Sequence, residues 1–206
     1  VSGIKLETSA PTAKGIFNAI NTTYKFLTNK ELSESTIAIS GVGKVGSKLS
    51  KLLFEKKANL IVSNIGRDPI DQLKRDKISF KESDINSIFE QECDIISPCA
   101  LGGAINSETK KKLKCKAIVG AANNQLDKSE TADWLKENNI FYVPDYLVNS
   151  GGVIAISCEI SNSEDTLDDQ LNKICDKVLL LLEESKKSSL STDKIVEDLA
   201  WKRINI

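Results

Sequence analysis

The stretch that most constrains this 206-residue chain is Gly41-Val42-Gly43-Lys44-Val45-Gly46. It follows a β-branched run, Thr36-Ile37-Ala38-Ile39-Ser40, and opens a helical pattern over residues 44–57 with Val45, Leu49, Leu52 and Leu53 on one stripe. Each glycine then has a physical task. Gly41 permits a tight turn, Gly43 lets backbone approach a pyrophosphate, and Gly46 lets helix and strand pack closely, with phosphate on the free N–H groups of the helix start. A glycine-rich turn without a ligand is the plain alternative, and the strand–loop–helix context weighs against it.

Around this loop, short apolar runs alternate with helical patterns. A helix is expected over residues 11–27, with Pro11 in its first turn. Strands are expected at 59–63, 78–80, 94–97, 117–119 and 141–143, and short helices after Asp68-Pro69, around 107–113 and around 129–138. Together they predict an α/β protein: a doubly wound, mostly parallel sheet of the Rossmann type, covered on both faces. From Gly151 the pattern stays helical. Leu167, Leu171, Ile174, Cys175, Val178, Leu181 and Leu182 form one stripe, and Ile195, Val196, Leu199 and Ala200 form another. Both read as core-facing rather than partner-facing.

Composition narrows the chemistry. With no histidine, the chain has no Ser-His or Cys-His nucleophile pair, no imidazole base and no His-ligated metal. A formal net charge of -1 argues against nucleic acid or an anionic membrane as partner. No uncharged apolar run approaches the roughly 20 residues that span a bilayer. Cys93, Cys99, Cys115, Cys158 and Cys175 are odd in number and lack CxxC spacing, so they are expected as free thiols of a cytoplasmic protein. The chain begins at Val1 and has no methionine, which suggests a piece cut from something longer.

The second strand should end on an acid that holds the ribose 2′-hydroxyl. Asn64 stands there, in Ser63-Asn64-Ile65-Gly66-Arg67. Asn can bond a hydroxyl but lacks the charge that repels a 2′-phosphate, and Arg67 is near enough in sequence to pair with one. NAD is therefore the expected cofactor, with weaker discrimination against NADP than an acid would give. A solvated loop charge is the other reading of Arg67.

Four further motifs are long enough to identify relatives. They are Thr12-Ala13-Lys14-Gly15, Cys93-Asp94-Ile95-Ile96-Ser97-Pro98-Cys99-Ala100-Leu101-Gly102-Gly103, Ala121-Ala122-Asn123-Asn124-Gln125-Leu126, and Pro144-Asp145-Tyr146-Leu147-Val148-Asn149-Ser150-Gly151-Gly152-Val153-Ile154. With the glycine loop, they closely resemble the nucleotide-binding half of the Glu/Leu/Phe/Val amino-acid dehydrogenases. The Cys-Ala-Leu-Gly-Gly form is similar to the leucine/phenylalanine/valine branch. The resemblance covers roughly residues 7–160 clearly and the closing helices loosely.

The resemblance implies roles. Thr12 matches a threonine near the nicotinamide, and Gly41, Gly43, Lys44, Val45 and Gly46 match the pyrophosphate turn, where the family usually has Asn in place of Lys44. Asn64, with Ile65 beside it, matches and departs from the acidic ribose ligand. Cys99, Ala100, Leu101, Ala122 and Asn123 match segments lining ribose and nicotinamide. Asn149 matches a residue facing both nicotinamide and substrate, and Val153 matches a wall of the substrate side-chain pocket. Singly, each has a plainer reading: Asn123 and Asn124 as turn formers, Asn149-Ser150 as a helix cap, Cys99 as a small buried hydrophobe.

The family reaction is reversible oxidative deamination of an L-amino acid to a 2-oxo acid and ammonia. Its lysine base and assisting aspartate lie in an N-terminal substrate domain that precedes the matching region, so no catalytic residue and no metal ligand is assigned in this chain. All 206 residues are expected to form the dinucleotide-binding domain, with 1–10 a remnant of the hinge and 151–206 the closing helices. It is expected to bind dinucleotide without turning over amino acids, and to belong to a homo-oligomer when full length. The alternatives are a free-standing dinucleotide-binding or sensing module, and a hydroxy-acid oxidoreductase, which the absent histidine disfavours.

Overall fold

The computed structural model describes residues 7–204, so residues 1–6 of the expected hinge segment lie outside the described residues, while Ser9 and Ala10 already belong to the first helix. Six strands form the sheet: β1 (Thr36–Ser40), β2 (Asn59–Ser63), β3 (Lys81–Glu82), β4 (Ile95–Pro98), β5 (Ala117–Ile118) and β6 (Phe141–Tyr142). Their spatial order is β3-β2-β1-β4-β5-β6, and every neighbouring pair is parallel. Side chains alternate between two cores, as the two-residue period of a strand requires. Ile37, Ile39, Leu60, Val62, Ile95 and Ala117 face one core. Ala38, Ile61, Ile96 and Ile118 face the other. Burial on both faces is why these strands read as continuous apolar runs.

The first core is covered by α1 (Ser9–Thr28), α2 (Lys44–Glu55), α3 (Arg67–Arg75) and α7 (Leu167–Lys187), through Ile16, Ile20, Leu53, Leu73, Ile174 and Val178. The second is covered by α4 (Glu130–Glu137), through Leu135, and by a 3-10 turn at Ile88–Glu90. Helices α5 (Asp145–Val148), α6 (Gly151–Ile160) and α8 (Thr192–Ile204) complete the chain. The expected stripe on α7 does face the core, with Leu171, Ile174, Val178, Leu181 and Leu182 buried; on α8 Ile195 is buried and Val196 and Leu199 pack against the core, while Ala200 is exposed. All five cysteines are free thiols. No helix of the described residues is long and apolar enough to cross a membrane.

Two local expectations are corrected. The third strand lies at Lys81–Glu82, not at 78–80, because Ile78 is used to close α3. Lys77 adopts φ 57°, and the Ile78 N–H donates to the Leu73 carbonyl. This left-handed closure recurs. Lys57, Asn139 and Asn162 also have positive φ, and the N–H groups of Ala58, Ile140 and Ser163 donate to the carbonyls of Leu53, Leu135 and Cys158. The segment around 107–113 is a 3-10 turn at Thr109–Lys112 rather than an α-helix. There Asn106 Oδ1 accepts the N–H groups of Glu108 and Thr109, and Thr109 Oγ1 donates to the Ala104 carbonyl. Side-chain bonds of this kind compete with helix formation.

Candidate functional site

The chain runs from β1 outward to β2 and β3, then returns to β4 on the other side of β1. Such a reversal opens a crevice at the carboxyl ends of the strands, where open α/β sheets place ligands. Here the Gly41 N–H donates to the Ser63 carbonyl at 2.8 Å, and the Cys99 N–H donates to the Ser40 carbonyl at 2.7 Å. Gly41 has φ +97°, and a Cβ on it would fall 2.6 Å from that of Ala100. A Cβ on Gly46 would fall 2.1 Å from the Gly41 carbonyl oxygen. The loop is therefore fixed on its inner side. Its outer side is open: a Cβ on the exposed Gly43 would meet nothing within 4 Å. Helix α2 starts at the next residue with no side-chain cap, so its first N–H groups are available to an anion. The exposed Lys44 puts a positive charge at that end, while Val45 packs against the core.

Asn64 is tied to the loop. Its Oδ1 accepts the Val42 N–H at 3.0 Å, and its Nδ2 donates to the Gly66 carbonyl at 2.8 Å. Beside it opens a cleft of about 220 Å³, lined by Gly41, Asn64, Ile65, Ile85, Ala100 and Leu101, among others. Ile65 is 81% exposed and Leu101 73%, which gives the cleft accessible apolar walls. Arg67 is the first residue of α3 and is paired twice, through Nε to Asp71 at 3.2 Å and through Nη1 to Glu82. Lys74 also bonds Glu82 and, with Arg67 close by, holds its carboxyl below the usual range. Cys99 lies under the glycine loop, with Sγ 3.4 Å from Ser97 Oγ. Burial pushes its thiol up, against the hydrogen bond from Ser97. A thiol kept neutral is a wall, not a nucleophile.

A second cluster forms where α1, α5 and α6 meet. Asn149 Nδ2 donates to Asn123 Oδ1 at 2.7 Å and to the Ala121 carbonyl at 3.3 Å, a pairing that uses neither Asn149 Oδ1 nor Asn123 Nδ2. Ala122 is buried, and its N–H donates to the Pro98 carbonyl. The start of α6 packs so tightly on α1 that a Cβ on Gly151 would lie 2.3 Å from the Pro11 carbonyl oxygen. That contact brings Thr12 beside Gly152. The Thr12 hydroxyl donates to the Thr8 carbonyl at 2.8 Å. Val153, one residue on, is 71% exposed. Ser150 does precede α6, but its hydroxyl bonds back to Leu147 and caps nothing.

Two residues without an expected role shape the site. Ile85 lines the cleft from outside every motif, and nothing in its sequence surroundings signals it. Asp145 is buried; its carboxylate accepts the Asn124 N–H at 2.7 Å and the Tyr142 hydroxyl at 3.0 Å, anchoring the 121–124 loop. The signal for Asp145 was present, an acid in the first turn after Pro144.

Comparison with known proteins points one way. The sequence model of the family described as Glutamate/Leucine/Phenylalanine/Valine dehydrogenase matches residues 60–190. The chain is 37% identical over 207 residues to a phenylalanine dehydrogenase of Thermoactinomyces intermedius, covering 98% of this chain and 56% of that protein. It is 37% identical over 199 residues to a leucine dehydrogenase of Bacillus subtilis (strain 168), covering 95% and 54%. The crystal structure of L-tryptophan dehydrogenase from Nostoc punctiforme superposes with a TM-score of 0.92 at 31% identity, covering 98% of this chain and 62% of that one. The chain thus spans a little over half the length of the curated relatives it matches.

Proposed function

The chain belongs to the Glutamate/Leucine/Phenylalanine/Valine dehydrogenase family, and from that premise we propose that it is the dinucleotide-binding domain of an L-amino-acid dehydrogenase. The whole enzyme would interconvert an L-amino acid with its 2-oxo acid and ammonia. The observation that carries this reading is the Gly41–Gly46 loop, fixed inside by Gly41 and Gly46 and open outside at Gly43, above an uncapped helix start.

The bound nicotinamide dinucleotide supplies the hydride acceptor. This chain's residues hold it. The first turn of α2, with Lys44, takes the pyrophosphate. Ile65, Ile85 and Leu101 flank the adenosine, and Asn64 meets its ribose through the edge of an amide already bound to Val42 and Gly66. Cys99, Ala100 and Ala122 form the floor toward the nicotinamide. Asn123 and Asn149 fix each other's amides, so that Asn149 offers Oδ1 to nicotinamide or substrate, with Thr12 nearby and Val153 on the substrate side. NAD is the proposed cofactor. Arg67 is held by two carboxylates, so it does little for a 2′-phosphate unless that pairing breaks. The acid–base groups are assigned to a separate substrate domain, and the parent protein to a homo-oligomer.

Calorimetric titration with NAD+, NADH and their 2′-phosphorylated forms tests the reading. Saturable binding of NAD+ or NADH is expected, with no turnover of leucine, valine or phenylalanine by this chain alone. Failure of all four to bind would overturn the site. Deamination by this chain would overturn the assignment of the acid–base groups elsewhere.

A further inference from the structure

The chain enters α1 alongside α2. Two residues before α1, Glu7 Oε1 accepts the Ser9 hydroxyl at 2.6 Å and Lys48 Nζ at 3.0 Å. Its neighbour Thr8 lies against α6, where a Cβ on Gly152 would fall 3.2 Å from the Thr8 Cβ. The segment is thus held from two sides, at α2 through Glu7 and at α6 through Thr8. Neither partner of the ion pair is buried, with side-chain exposures of 63% for Glu7 and 34% for Lys48. Such a pair adds little to stability. Its effect on local charge is larger.

Lys44 and Lys48 stand one turn apart, so both ammonium groups project from the same face of α2. Lys44 is the first residue of that helix, beside the open side of Gly43. The Ser9 hydroxyl, then Lys48 and more weakly Lys44, hold the Glu7 carboxyl below its usual range. Glu7 therefore sits within Coulomb range of the first turn of α2, where the proposed function puts the pyrophosphate. A fixed carboxylate there offsets one of two cations that favour an anion, and it repels the anion itself.

We propose that Glu7 is a built-in counter-charge that weakens dinucleotide binding at this loop. The inference rests on the proposed dinucleotide site and names a residue that sets its affinity. A weaker hold speeds dissociation, and a cofactor that accepts hydride must leave before the next cycle.

The experiment is calorimetric titration with NAD+ and NADH at about 0.01 M and about 1 M salt, where charges are felt over about 30 Å and about 3 Å. It compares this chain with Glu7→Gln, Lys48→Gln and the double variant. Glu7→Gln should bind about three- to tenfold more tightly at the lower salt, and the gain should vanish at the higher. Lys48→Gln should bind more weakly at the lower salt. Glu7→Gln should still tighten binding in the Lys48→Gln background, because the carboxylate acts on Lys44 and the pyrophosphate without Lys48. Unfolding midpoints within about 4 °C of one another show that all four fold alike. A pair that only shapes the loop predicts the opposite: weaker binding of Glu7→Gln at both salts, and no effect of it once Lys48 is gone. Either of those results, or unchanged affinity at the lower salt, would overturn the proposal and leave the dinucleotide site standing. If the unaltered chain binds neither NAD+ nor NADH, the site itself falls and takes this inference with it.

Discussion

In the proposed function, Asn64 would serve structure and specificity together. Its amide both accepts and donates, from Val42 and to Gly66. An aspartate keeps the first bond but turns the second into two facing oxygens. Asn64→Asp should therefore lower stability by about 1–2 kcal/mol. It should also shift preference toward NAD over NADP by about tenfold or more, because a carboxylate repels the 2′-phosphate. Paired denaturant and calorimetric titrations measure both, and unchanged preference would remove Asn64 from cofactor selection. The sequence showed that an acid was missing here but not what the amide did instead, since its partners are backbone groups 2 and 22 positions away. Arg67 is a similar case. Its partner Glu82 is 15 residues off, in a strand that sequence reasoning placed at 78–80.

Among the elements, the helix ends carry the least legible information. Strand β1 and the start of α2 were readable because burial on both sides and a glycine triad leave strong local marks. The closures at Asn139 and Asn162 carry a residue enriched at positive φ, but those at Lys57 and Lys77 leave no such mark. The third strand was misplaced for that reason. Glycine at the exposed Lys77 removes a left-handed penalty of about 1–2 kcal/mol and adds an entropy cost of about 0.4–1 kcal/mol. Lys77→Gly should accordingly stabilise the fold by about 0.5–1 kcal/mol, raising the unfolding midpoint by about 2–3 °C. A lower midpoint would mean that the lysine stem itself packs on the fold.

At the scale of the whole molecule, the first helix and the penultimate one, α7, share one layer. Asn18 on α1 bonds Asn172 and the Leu171 carbonyl on α7, and α7 buries Leu171, Ile174, Val178, Leu181 and Leu182 over the face that α1 helps build. Five side chains at about 1.5–3 kcal/mol each equal the net stability typical of a domain. A chain ending at Ile160 should lose cooperative unfolding in urea although every strand and the whole glycine loop remain. A sharp transition would show that the sheet stands without α7. The same arrangement sets an order of events during synthesis. The sheet and its loop leave the ribosome long before α7 does, and they wait with α1 uncovered. Ribosome-bound chains tethered so that residues up to Ile160 are outside the exit should be cut readily by protease within α1, while chains that also expose α7 should resist. On the proposed function, dinucleotide binding would then arrive late in translation, with a helix that lies outside the proposed site.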